Sequence, residues 1–255
     1  KQTLGGRDVE LPAELAAAGF DGRAVVMGEP VLDIPSVIEA LAAQHADCIR
    51  QGESAEGINF KKLIVTAAGN NAALADQNGH SEGLKTQARP LLMGMMAPAP
   101  FPLFAHLVGA SEKPVATITT HRRDDGTLVW YLGGGVAERD KNSDPSVMIE
   151  ACRAALEKYM PGLDLGNVQW AAQPIDRHEG KSETDGWLPD TPTVHNVENT
   201  LYAWPTKLTF TPMLAAKVEQ VLKAEGIVPS GTLGDFSALP PVSIATAPWD
   251  TAVWN

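Results

Sequence analysis

An apolar, β-branched run closed by small residues is the segment that most narrows the fold of this chain. It is Phe60-Lys61-Lys62-Leu63-Ile64-Val65-Thr66, followed by Ala67-Ala68-Gly69-Asn70-Asn71. Strands buried on both faces of a parallel sheet read as continuous apolar runs, and the small residues mark where this one stops. From Lys85 the pattern changes. Leu91 to Met96 reads as a strand and Phe101 to Val108 as a short helix or irregular apolar segment. Pro114 to His121 and Leu128 to Leu132 read as a β-hairpin turned by Asp124-Asp125-Gly126. The expected architecture is therefore two layers: Phe60 to Thr66 with Thr200 to Trp204 in one, and an antiparallel sheet from about residue 85 to 175 in the other.

Helices fill the spaces between. Ser36 is expected to cap a helix carrying Val37, Ile38, Leu41, Ala42, His45 and Ile49 on one face, ended by Gln51-Gly52. Ala72 to Ala75 starts a short one. Asp144-Pro145 opens a helix through about Tyr159 whose stripe is Val147, Ile149, Ala151, Cys152, Ala155, Leu156 and Tyr159, stopped by Pro161-Gly162. Val168 to Ala172 returns to strand. Thr211 is the expected cap of a helix from Pro212 to Ala224, and beyond Gly226 the proline-bearing tail reads as a docked or loose extension.

Composition excludes several classes. With 255 residues, 44% hydrophobic and 20% charged, the chain has enough apolar matter for a core but no apolar run of about 18 residues to span a bilayer. Its net charge of −11 argues against nucleic acid, whose backbone requires a basic face. Cys48 and Cys152 belong to no CxxC or Cys/His cluster, so no metal site is expected and a reducing, cytoplasmic setting is. The chain opens Lys1-Gln2-Thr3 without Met or a charged-then-apolar leader, which reads as no signal peptide and a start that is not the native one.

Candidate chemistry is sparse. Gly133-Gly134-Gly135 lacks the third glycine of GxGxxG and reads as the exit of a hairpin strand. The six histidines form no HExxH pair, and no serine sits in GxSxG. Among them His121, on a strand, and His178, beside Arg177, are the candidate proton acceptors. Arg177 follows a strand in a charged segment, where it either clamps an anionic group bidentately or pairs structurally with Asp176 or Glu179. Thr206-Lys207-Leu208-Thr209 joins a strand to a helix, so backbone amides and the positive end of a helix dipole converge there.

Four motifs in order carry a resemblance: Glu29-Pro30-Val31-Leu32-Asp33, Leu63 to Gly69, Trp130-Tyr131-Leu132-Gly133 and Trp204-Pro205-Thr206-Lys207-Leu208-Thr209. Over roughly residues 25 to 225 the chain resembles the FAD-dependent oxidoreductases of the D-amino-acid oxidase and glycerol-3-phosphate dehydrogenase type. The resemblance implies an α/β chain (α+β mixed) with an incomplete FAD-binding Rossmann-like layer and an antiparallel-sheet substrate domain carrying a packed helix. The expected limits are 1–84 with 176–226 for the first, 85–175 for the second, and a tail at 227–255. It further implies FAD as cofactor, held by Ala67, Ala68, Gly69, Thr206, Lys207, Leu208 and Thr209. The implied reaction is hydride transfer from a C–H beside an amine or hydroxyl of a small anionic substrate held by Arg177, with His121 or His178 as base.

The sequence departs from this family in two places. The strand-GxGxxG-helix that cradles the FAD pyrophosphate, and its ribose-binding acidic residue, are not found in the 255 residues. Gly52 to Asn59 stands where the family inserts further strands. The sequence thus reads either as a fragment or as a protein that has lost its cofactor. The second option is a noncatalytic module packing on a partner chain or on a second copy.

Overall fold

The computed structural model describes residues 6–52, 57–110, 113–181, 191–205, 207–229, 231, 235 and 238–255. In chain order it begins with β1 (Arg7–Val9), α1 (Ala13–Ala17), β2 (Ala24–Val26), α2 (Ile34–Gln44), β3 (Leu63–Val65) and α3 (Asn70–Gln77). Then come β4 (Thr86–Ala97), β5 (Ala105–Val108), β6 (Pro114–Arg122), β7 (Leu128–Gly133) and α4 (Pro145–Tyr159). It closes with β8 (Gln169–Gly180), β9 (Thr193–Val197), β10 (Thr200–Trp204), α5 (Thr211–Ala224) and α6 (Pro248–Thr251). The chain is of the mixed α/β class expected. It divides into unit 1, residues 1–44, 90–175 and 243–255, and unit 2, residues 45–89 and 176–242.

Unit 1 is built on a sheet of order β5-β6-β7-β4-β8. Its centre is the hairpin β6/β7, antiparallel in the register Ile118↔Leu132, Thr120↔Trp130 and Arg122↔Leu128, closed by the turn at Asp124 to Gly126. Alternation decides which side chains face inward, so Ala116 and Ile118 are buried while their neighbours are half-exposed. On that inner face lies α4, which buries Met148, Cys152, Ala155 and Leu156 against Leu92, Met96, Ile118 and Leu132. Asp144 caps it, its carboxylate accepting from the Ser146 amide at 2.9 Å, with Pro145 in the first turn. Close approach needs Gly94, because a Cβ there would stand 2.8 Å from Cys152 Sγ and 3.0 Å from the Met148 thioether.

Unit 2 holds a three-stranded sheet of order β3-β10-β9. Here β3 and β10 run parallel, as the continuous apolar runs imply, while β9 adds antiparallel to β10. All five residues of β10 are buried. Tyr202 and Trp204 pack on Ala75 of α3, and Leu201 and Ala203 pack on Leu214 of α5.

Several expectations change. Phe101 to Val108 holds a strand, not a helix: Ala105–Val108 pairs at the sheet edge with β6, and Leu107 alone of the four is buried. The helix expected from Ser36 starts at Ile34 and ends at Gln44, and Ser36 Oγ lies inside it, donating to Asp33 at 2.6 Å. Thr211 likewise sits inside α5, whose cap position is Phe210. The charged stretch after Val168 to Ala172 continues as β8 to Gly180. Residues 1–44 group with the antiparallel unit rather than with β3, since Ala18 is buried in the α4 core and Gly162 N donates to Ala18 O at 2.8 Å. The tail is also partly docked. Trp249 is buried against Met95, Val129 and Ala171, and Trp170 and Asn255 exchange two backbone hydrogen bonds.

Candidate functional site

The parallel register fixes the geometry of the site in unit 2. Thr200, Leu201 and Tyr202 pair with Leu63, Ile64 and Val65, so β3 and β10 end side by side and their following loops leave the same edge. Those loops are the two segments singled out in the sequence: Thr66 to Gly69, and the stretch leading to Lys207, Leu208 and Thr209. Ligands of open α/β sheets bind outside the carboxyl ends of the strands, where loops diverge and backbone groups are free. Thr206 lies outside the described residues.

The first loop is held in shape from three directions. Asn71, fully buried, accepts from the Ala67 amide at 2.6 Å through Oδ1 and donates from Nδ2 to Ala203 O at 3.0 Å. Trp204 Nε1 donates to Ala68 O at 3.1 Å. Ala68 takes φ +48°, a left-handed conformation uncommon for a residue with a side chain. The amides of Ala68 and Gly69 find no partner among the described residues, and they lead directly into the first turn of α3. Two unused donors at a helix start are suited to an anionic or carbonyl group. A cavity of about 410 Å³, lined by Leu63 to Ala67, Leu74 and Asn78, runs from β3 to this turn.

His178 reaches the same turn. A Cβ on Gly69 would lie 2.6 Å from His178 Nε2 and 2.8 Å from Cδ2, so the imidazole rests directly on the glycine. Arg177 does not join it. Successive side chains of a strand point to opposite faces, which puts Arg177 with Glu179 on the face away from His178. Arg177 Nε is buried without a hydrogen-bond partner, and Arg177 makes no ion pair among the described residues. Glu179, fully buried, instead accepts from Gln87 Nε2 at 2.8 Å and stands 3.6 Å from Arg89, with its second oxygen unpartnered. The structural pairing of Arg177 with Glu179 is therefore absent.

At the second loop Lys207 is exposed and extended, its amide donating to Pro205 O at 2.6 Å, and its ammonium lies 5.6 Å from the Phe210 ring. Leu208 and Thr209 open a short 3-10 turn ahead of α5. The sequence reading missed Asn71 and Trp204 as the residues that fix the first loop. An Asn in the first turn of a helix after a small-residue break is the signal that could have indicated the former.

His121 belongs to unit 1. Its Nε2 lies 2.9 Å from Thr119 Oγ1, and its ring stacks on Trp249 at 3.9 Å between centroids and 18° between planes. Burial pulls its pKa below the ordinary value, opposed in part by the Asp33 carboxylate. Other histidines are engaged structurally: His80 Nδ1 lies 3.1 Å from the Tyr202 hydroxyl, and His195 Nε2 lies 2.9 Å from His80 O. Among the described residues no group of three or more His, Cys, Asp or Glu is placed to hold a metal ion, and no helix is long and apolar enough to cross a membrane.

No family model matches the sequence. In a 264-residue alignment the chain is 35% identical to a Pseudomonas aeruginosa protein named "Probable FAD-dependent oxidoreductase PA4991", covering 95% of this chain and 66% of that protein. The crystal structure of the FAD-dependent oxidoreductase PA4991 superposes with a TM-score of 0.75 at 34% identity, covering 89% of this chain and 66% of the other. The chain thus spans slightly under two thirds of its relative.

Proposed function

We propose, from the premise that this chain belongs to the family of FAD-dependent oxidoreductases, that it takes part in oxidising a small molecule with FAD as the cofactor. The observation that carries the reading is the parallel pair β3/β10, which brings both sequence-selected loops to one sheet edge. The described residues there suit part of the cofactor. Two unpartnered amides, Ala68 and Gly69, lead into α3 and suit a polar edge or phosphate of FAD, and Lys207 with Leu208 and Thr209 suits the edge where reduction leaves negative charge.

FAD, when bound, supplies the hydride acceptor. The protein's own groups bind and orient. Arg177, with a buried Nε that has no partner, would hold an anionic group through its planar fork on the face of β8 opposite His178. His178, seated on Gly69, would be the base toward a substrate amine or hydroxyl beside the turn, and its contact with the glycine supports that reading without joining it to Arg177. His121 in unit 1 is the second candidate base, since burial keeps its imidazole neutral and able to accept.

Two substitutions, measured at saturating FAD, test the assignment. Lys207→Met should make reduction harder, read as a lower midpoint potential, with little change in substrate binding. Arg177→Lys should weaken an anionic substrate by about 1.5 to 3 kcal/mol and leave the potential nearly constant, because an ammonium cannot reproduce the fork. Equal losses in both variants that follow stability alone would return the two residues to structural roles.

A further inference from the structure

β4 and β8 are neighbours in their sheet, and the ends that belong to unit 2 are residues 86–89 of the first and 176–180 of the second. Lys181 N donates to Lys85 O at 2.9 Å, and two residues inward on each strand Gln87 Nε2 donates to Glu179 Oε1 at 2.8 Å. These two contacts fix an antiparallel count, whose next step sets Arg89 directly opposite Arg177. Side chains two apart on a strand share a face, so Gln87, Arg89, Arg177 and Glu179 stand on one face, the one away from His178. Directly opposed residues have Cβ atoms about 4.5 to 5.5 Å apart, and like charges so placed repel.

The protein offsets only one of these two guanidiniums. Glu179, fully buried, shares their face and lies 3.6 Å from Arg89 Nη1, but it makes no ion pair with Arg177. Alternation along β8 turns Asp176 to the other face. Arg177 Nε is buried with no hydrogen-bond partner. At the ends of the same two strands, Lys85 and Lys181 have partners of their own. The face is reachable, since the Arg89 side chain is 33% exposed. In a chain of net charge −11, two facing guanidinium forks with one carboxylate between the four residues are a local positive site.

We infer that Arg89 and Arg177 together bind a tetrahedral oxyanion, a phosphate group, on this face of unit 2. The number of oxygens decides the class. A carboxylate has two oxygens and fills one guanidinium fork, whereas two opposed forks call for the three or four oxygens of a phosphate. Its charge also cancels the repulsion between the arginines, and its oxygens give Arg177 the acceptor that it lacks. Glu179, held by Gln87, is the positioning residue for Arg89. The inference rests on the reading of Arg177 as the holder of an anionic group, to which it adds a second arm and a ligand class. The ion stands apart from His178 and the turn at Gly69, on the opposite side of β8.

Calorimetric titrations of the 255-residue chain without flavin, at low ionic strength, test it with inorganic phosphate, phenyl phosphate and benzoate. Inorganic phosphate should bind saturably, and benzoate, a planar anion with two oxygens, about tenfold or more weakly. Phenyl phosphate binding as tightly as the free ion would identify a phosphate monoester as the ligand, and weaker binding would identify the ion itself. Arg89→Lys keeps a charge beside Glu179 but loses the fork, and should weaken phosphate about tenfold. Arg177→Gln should weaken it at least as much. Without phosphate that variant should melt at the same temperature as the parent chain or higher, because it loses no partner and removes a like charge opposite Arg89. No saturable phosphate binding, benzoate binding as tightly as phosphate, a lower melting temperature for phosphate-free Arg177→Gln, or an affinity untouched by Arg89→Lys would each overturn the inference. The last of these, with a loss at Arg177→Gln alone, would leave the reading of Arg177 as a single anion holder standing, and none of the outcomes bears on flavin binding.

Discussion

Gly69 has φ −61° and ψ −29°, a helical conformation open to any residue, so its lack of a side chain matters only for space. The His178 imidazole occupies that space. Gly69→Ala should therefore destabilise the protein by about 1 to 3 kcal/mol through overpacking, measured by urea unfolding. In a His178→Ala background the same change should cost much less, and a cycle with no coupling between the two would show that the contact carries no energy. His121 supports a second residue-level prediction. Its folded pKa lies below its unfolded value because burial disfavours the charged form. Between those two values the unfolded chain holds a proton that the folded chain refuses, so its contribution is full above the unfolded pKa and is lost as the pH falls through the window. Stability should drop as acid is added below about pH 6.5, and His121→Gln should flatten that part of the profile. A His121 proton resonance titrating at or above the value of a free histidine peptide would contradict the argument.

Among elements, α4 shows how a periodic stripe becomes energy. Its sequence suggests that Val147 and Leu156 belong to one apolar face, yet the helix buries Leu156 completely and leaves Val147 49% exposed. Leu156→Ala should cost about 2 to 5 kcal/mol, the range for a buried leucine, whereas Val147→Ala should stay within about 0.5 kcal/mol. Comparable losses at both positions would mean that α4 packs in another rotation. The contrast also shows what was legible in the sequence. Long periodic segments with strong punctuation, α4 with its Asp144-Pro145 start and β6/β7 with their Asp-Gly turn, could be read because local chemistry and tertiary packing agree there. Short or mixed segments could not. Ala105–Val108 and Thr193–Val197 are strands because β6 and β10 present partners, and nothing within four or five residues records that. The candidate site was legible as two loops, since each follows a strand, but their meeting depends on the β3/β10 pairing between residues more than a hundred positions apart. Arg177 and His178, adjacent in sequence, read as one charged segment, and strand alternation separates them.

Across the whole chain, the loop amides at β3 and the lysine at β10 meet only part of what FAD requires. The cofactor's pyrophosphate carries two negative charges, and in dinucleotide-binding folds it is held by the closely approaching backbone and helix dipole of a GxGxxG turn. The 255 residues hold no such turn. Their net charge of −11 also repels a dianion in the long range, and no basic cluster at the described loops offsets it beyond Lys207. The contacts that remain, Ala68 and Gly69 amides and the Lys207 region, are those of a polar edge rather than of an entire dinucleotide. This chain by itself should accordingly bind FAD weakly. After incubation with excess FAD and desalting, the flavin absorbance left with the protein should be far below one equivalent, and flavin fluorescence should titrate only at high protein concentration. Riboflavin, which lacks the pyrophosphate, should bind about as well as FAD, because the part of the cofactor that distinguishes them finds no cradle. Stoichiometric FAD retained through desalting, with riboflavin bound much more weakly, would mean that the chain grips the pyrophosphate by other residues, and the amides ahead of α3 would be the first place to look for them.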